Sequence, residues 1–159
     1  MMEPGPGRPI VHLPGEGRPI DMGAFGMTVK ADASDTGGSF ALLEAAEPPG
    51  FGPPMHTHED AGEAFYVLEG EYLIFVDEQE FRCPAGSFVF IPAGRVHGFR
   101  VGDVPSRKLN IYSPAAMVGY FDELERAATL SEPLDDASLV TMAARYNMRV
   151  LGPVPDGYS

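Results

Sequence analysis

Glycine and proline set the grain of this chain. Nineteen glycines and sixteen prolines are spread over 159 residues; each interrupts a long helix and eases a reversal of direction. Between them lie short runs of β-branched and aromatic residues, such as Phe-Tyr-Val-Leu at 65–68 and Tyr-Leu-Ile-Phe-Val at 72–76. Short runs of that composition bounded by turn residues read as strands. The expected fold class is therefore all-β, built from many short antiparallel strands in one domain.

The expected strands lie at 26–31, 39–47, 63–68, 72–76, 88–91, 97–101 and 108–113, with turns at 35–38, 69–71 and 77–78. Both faces of 65–68 and 72–76 are apolar, so those strands are expected to be buried on both sides, as in a sandwich or closed barrel. After residue 113 the period changes. Met117, Phe121, Leu124 and Ala128 make one amphipathic stripe, and Leu139, Met142, Ala143 and Tyr146 make a second. Asp135 or Asp136, following Pro133, would cap the second helix, expected over 136–147. These stripes read as faces packed on the β-structure, and the tail from Gly152 reads as coil. The expected organisation is an arm or edge strand at 1–22, a barrel at 23–114, and helices with a tail at 115–159.

Charge narrows the partners. With 23 acidic against 11 basic residues the formal net charge is −12, which repels nucleic-acid backbones and anionic lipid surfaces. No run approaches the roughly 18 apolar residues that a membrane span needs, and no apolar leader opens the chain. Neither nucleic acid nor membrane is expected as a partner, and the expected location is cytoplasmic. The single cysteine, Cys83, excludes an intrachain disulfide and reads as a small structural side chain.

Chemistry concentrates around 50–70. His56 and His58, separated by one residue, point the same way only on a strand. Glu63 follows at an odd offset, so it reaches them only if the chain bends, and Glu-Asp-Ala-Gly at 59–62 is suited to bend. Downstream, Pro92-Ala-Gly94 turns the chain into a strand that begins near His97. Each histidine alone has a plain reading as a surface or core residue. Together, three imidazoles and a carboxylate suit a divalent transition metal.

The spacing Gly50-x5-His56-x-His58-x4-Glu63-x6-Gly70 and the spacing Gly86-x5-Pro92-x-Gly94-x2-His97 resemble the two motifs of the cupin family. The one departure is Val101, where the second motif closes on an asparagine that is not a metal ligand. The segments 44–54 and 144–153 further resemble the small bacterial cupins grouped with quercetin 2,3-dioxygenase. The resemblance implies a double-stranded β-helix, a jelly-roll-like barrel, with one or two C-terminal helices. It implies one metal per chain (Fe, Mn, Ni, Zn, Co or Cu) held by His56, His58, Glu63 and His97. Glu63 would be a ligand, a general base, or each in turn.

A metal with open coordination positions would take an enolisable or aromatic small molecule, with O2 as co-substrate, which makes a quercetinase-like dioxygenase the leading expectation. The alternatives are a non-catalytic metal-containing binding protein and a non-redox lyase or isomerase. Phe51, Met55, Phe65, Phe99 and Tyr112 are the expected pocket lining, although Phe65 and Phe99 read more readily as core. A homodimer is expected from the doubly apolar strands.

Overall fold

The computed structural model describes residues 7–129 and 134–155. Residues 1–6, the start of the expected arm, lie outside the described residues, as do Pro133 and the end of the expected coil tail. In chain order the elements are β1 (Arg18–Asp21), β2 (Gly26–Ala31), α1 (Ala33–Thr36), β3 (Ala41–Glu47), β4 (Met55–His58), β5 (Gly62–Glu69) and β6 (Glu71–Val76). They continue with β7 (Gln79–Pro84), β8 (Phe88–Ile91), β9 (His97–Val101), β10 (Ser106–Ser113), α2 (Val118–Ala127), α3 (Asp136–Ala144) and β11 (Met148–Gly152). The strands form a six-stranded sheet ordered β1-β2-β3-β10-β5-β8 and a five-stranded sheet ordered β11-β4-β9-β6-β7. No helix among the described residues is long and apolar enough to cross a membrane.

The two sheets face each other over a core of Phe65, Val67, Tyr72, Ile74, Phe99 and Val101. Cys83 is buried in that cluster, a structural position. A second cluster around Met27, Val29 and Leu43 takes in Val118 of α2. A third, with Tyr112, Met117, Tyr120, Met142 and Met148, seats both long helices on the β-structure, so the amphipathic stripes pack as their spacing predicts, except for Ala128, which lies exposed just past α2. Asp135 caps α3, its side chain accepting the Ser138 N–H.

Three local expectations are corrected. The reversal at 35–38 is not a bare turn: Asp32 and Asp35 form a capping box around the one-turn helix α1, which Gly37 closes in the left-handed region at φ 66°. The helix expected to reach 147 stops at Ala144, Asn147 takes a positive φ of 56°, and the chain re-enters as β11. That strand pairs antiparallel with β4, Met148 opposite His58 and Val150 opposite His56. The segment between the expected helix end at 147 and the expected coil from Gly152 is thus the edge that covers the histidine strand.

Burial on both sides holds for β6 but not for β5. Tyr72 and Ile74 face the core, while Leu73 and Phe75 on the opposite face are covered by Val154 and Met55. Gly98 permits that cover, because a Cβ there would lie 2.8 Å from both Met55 Sδ and Val154 Cγ1. On β5, Tyr66 is exposed, beside Phe88 and Phe90 of β8. The apolar outer face of β6 is therefore occupied by the chain's own C-terminal segment, and it supplies no argument for a homodimer.

Candidate metal centre

Strand alternation on β4 turns His56 and His58 inward, and β9 places His97 directly across from His56. Glu63 comes from the other sheet: on β5 it sits opposite Tyr112 of β10 and Ile91 of β8. The bend at 59–62 therefore does more than swing a carboxylate back along its own sheet. It carries the chain across the interior, so that the carboxylate meets the imidazoles face to face. The turn of the second motif is tied to the first by the Gly94 N–H, which donates to the His58 carbonyl at 2.8 Å.

All four side chains are buried, and one ligand atom from each lies within 4.8 Å of the others. Two backbone carbonyls orient the rings: His56 Nδ1 is 2.7 Å from the Pro54 oxygen, and His97 Nδ1 is 2.9 Å from the Arg95 oxygen. Each Nδ1 must donate, which presents the Nε2 of both rings to the interior. Glu63 Oε2 meets His58 Nε2 at 2.9 Å and His97 Nε2 at 2.8 Å. His58 Nδ1 is buried without a partner. A cluster whose inward nitrogens crowd a single carboxylate oxygen fits a divalent cation, which would replace the shared protons as the positive charge between them.

The protonation states follow from this crowding. Burial alone would raise the Glu63 carboxyl, but hydrogen bonds from His58 and His97 outweigh it and hold the group well below its ordinary value. Burial likewise disfavours a charged His97, yet its bond to Glu63 prevails and its pKa is raised. That matches a ring with an acceptor at each nitrogen. His56 has no such partner, and burial, reinforced by the charge of His97, lowers its pKa from 6.5 to about 4. Tyr112, packed edge-on to the His58 ring, has its hydroxyl pushed well up by burial and then by the Glu63 charge.

His56 gives a pH signature to the metal-free protein. Its folded pKa is depressed, so its contribution is complete above pH 6.5 and is lost as pH falls toward 4, where the unfolded chain takes up the proton first. The loss is on the order of 3 kcal/mol at most. Wild type should therefore lose more stability than His56→Gln between about pH 7 and about pH 4.5, as read from urea midpoints. An equal loss in both proteins would rule out the neutral, buried His56.

The cluster opens onto a cavity of about 810 Å³ between the sheets and the two long helices. Phe51, Phe65, Phe99 and Tyr112 line it, Phe65 and Phe99 being core residues as well. Met55 does not. It precedes His56 by one residue, so alternation turns it to the far face of β4, where it packs against Leu73, Phe75 and Val154.

Among the lining residues not expected from the sequence are three buried polar groups, Glu47, Lys108 and Asn110. Lys108 Nζ is fully buried, 2.9 Å from Glu47 Oε1, and 4.1 Å from the centroid of the Phe99 ring. Tyr72 donates its hydroxyl to the same Glu47 oxygen at 2.9 Å. A signal was present in Lys-Leu-Asn-Ile-Tyr at 108–112. There the polar residues share Tyr112's face and the aliphatic ones take the other, an inward polar row that reads backwards for a surface strand.

Comparison with known proteins gives the frame for this site. Residues 44–112 match the Cupin domain family model. The chain is 29% identical over 116 residues to a quercetin 2,3-dioxygenase of Bacillus subtilis. That alignment takes in 73% of this chain and 34% of the relative, so the chain spans about a third of the relative's length. A solved RmlC-like cupin from Shewanella frigidimarina has a TM-score of 0.57 at 20% identity, covering 65% of this chain and 89% of that one. The DMSP lyase DddQ from Ruegeria pomeroyi has a TM-score of 0.51 at 26% identity, covering 58% and 48%.

Proposed function

We propose, from the premise that residues 44–112 are a cupin domain, that the protein is a metal-dependent dioxygenase acting on an enolisable aromatic small molecule. The observation that carries this reading is the buried His56, His58, Glu63 and His97 cluster opening onto an aromatic-walled cavity large enough for a drug-sized ligand. The likeness to a quercetin 2,3-dioxygenase supports it. His56, His58 and His97, with Glu63, would hold the metal. A divalent transition metal held there supplies Lewis acidity toward a chelating enol and redox access to O2.

The remaining roles belong to the chain itself. The Pro54 and Arg95 carbonyls fix the His56 and His97 tautomers, so both rings reach the interior without reorientation. Phe51, Phe65 and Phe99 offer flat apolar walls that seat a planar ring and exclude water. Glu63 would serve in turn: released from the metal and from its two imidazole contacts, it is a carboxylate placed to take the acidic hydroxyl proton of the substrate as general base.

Oxygen uptake by the metal-loaded protein over a panel of flavonols and related diketones tests the proposal. Consumption with at least one of them is the expected result. No consumption with any, while a known flavonol dioxygenase responds in parallel, would sink it. The likeness to DddQ favours a second reading, a non-redox lyase or isomerase; that reading requires turnover under nitrogen in the zinc-loaded protein.

A further inference from the structure

Asn110 is 3% exposed, lines the cavity, and leaves its side-chain oxygen buried with no hydrogen-bond partner. Buried amide oxygens are rarely left unpaired, and one facing a cavity marks where a donor belongs. The residues around it do not provide that donor. On β10, Asn110 sits between Leu43 of β3 and Phe65 of β5, both apolar. Two residues earlier, the Lys108 ammonium is engaged by Glu47 and faces the Phe99 ring. The Tyr72 hydroxyl is already committed to Glu47. Two residues later, the Tyr112 hydroxyl is hydrogen-bonded to Glu63 and to the Asn110 side chain itself; the amide nitrogen makes that contact as donor, so the Asn110 oxygen is still left without one.

The spacing along β10 gives the ligand its length. Tyr112 is opposite Glu63, and Asn110 lies one two-residue step further along the same strand face, about 7 Å from Tyr112 between Cα atoms. The Asn110 oxygen therefore faces the cavity beside the histidine cluster, within the reach of one fused ring system, and Phe65 and Phe99 line the same cavity. Charge sets the polarity. Lys108 is neutralised by Glu47 at 2.9 Å, so the one cation on Asn110's own strand face is not offered to a carboxylate or phosphate. The unfilled requirement is for a neutral donor, a hydroxyl or an amine.

We infer that Asn110 is a specificity determinant whose side-chain oxygen accepts a ring hydroxyl from a planar aromatic ligand that is chelated at its other end by the histidine cluster. This deepens the proposed function and rests on it. It assigns the substrate class more narrowly: an aromatic hydroxyketone with a phenolic hydroxyl remote from the chelating pair, in preference to the unsubstituted parent or a remote carboxylate.

The test is an anaerobic fluorescence titration of the metal-loaded full chain with 3-hydroxyflavone and with its singly ring-hydroxylated isomers. Wild type should bind at least one isomer roughly tenfold more tightly than the parent. In Asn110→Leu, close in volume and without an acceptor, that gain should vanish while parent affinity is retained. Asn110→Ala, checked for thermal stability and metal content, serves as the second variant should the leucine disturb the fold. Equal binding of parent and isomers by wild type overturns the inference, as does a gain that survives in a folded variant. Failure of the parent itself to bind overturns the functional reading and this inference with it, whereas parent binding without a gain removes the Asn110 role alone.

Discussion

Glu63→Gln is expected to lower turnover by roughly 10²- to 10⁴-fold, the usual contribution of a positioned acid or base. The substitution preserves the shape of a side chain that is 3% exposed, so packing is nearly unchanged. What is lost is charge: the oxygen that meets His58 at 2.9 Å and His97 at 2.8 Å becomes part of a neutral amide. His97, whose pKa is raised chiefly because Glu63 outweighs the effect of burial, would then favour its neutral form. Metal analysis of the same preparation separates the two roles. If activity and metal disappear together, Glu63 is needed to hold the metal; if metal stays and activity goes, Glu63 acts on the substrate proton. A variant that keeps both metal and wild-type turnover would exclude Glu63 from either role.

The four clustered residues were legible because spacing alone constrains them. One residue between two histidines on a strand gives one face, and glycine-cornered turns precede the strands carrying Glu63 and His97. The resemblance to the two cupin motifs then named all four together. What spacing could not convey was which sheet each strand joins. Glu63 follows His58 by five residues and yet approaches it from the opposite sheet.

β11 was illegible for a related reason. Its residues pair with β4, some ninety positions earlier, and nothing local in Met-Arg-Val-Leu-Gly distinguishes an edge strand from the end of a helix. Met55 shows the converse error. Closeness in sequence to His56 does not give closeness in space, because adjacent residues on a strand face opposite ways. Lys108 and Asn110 were passed over because polar residues in a strand are ordinarily read as its solvent side, and only the folded register shows that face turned inward.

Lys108→Met should destabilise the protein by about 3 to 5 kcal/mol, the scale associated with removing one partner of a buried ion pair. Both side chains are out of water, Lys108 at 0% and Glu47 at 1% exposure, so the carboxylate left behind could not recover by hydration. The methionine replaces the aliphatic stem but not the ammonium that faces the Phe65, Tyr72 and Phe99 rings, so the deficit measures lost and uncompensated charge more than a cavity. Adding Glu47→Gln removes that charge while leaving an acceptor for the Tyr72 hydroxyl. The double variant should therefore be more stable than Lys108→Met alone, a coupling that urea unfolding of all four proteins in the cycle would measure. A single-variant loss below about 1 kcal/mol, or a double variant no better than the single, would show that the pair is not electrostatically coupled in the way its 2.9 Å contact requires. Because Lys108 and Asn110 share one face of β10, the same cycle also bears on the cavity. The ion pair keeps that end of the pocket electrically neutral, so losing Lys108 alone would turn it anionic beside the Asn110 acceptor.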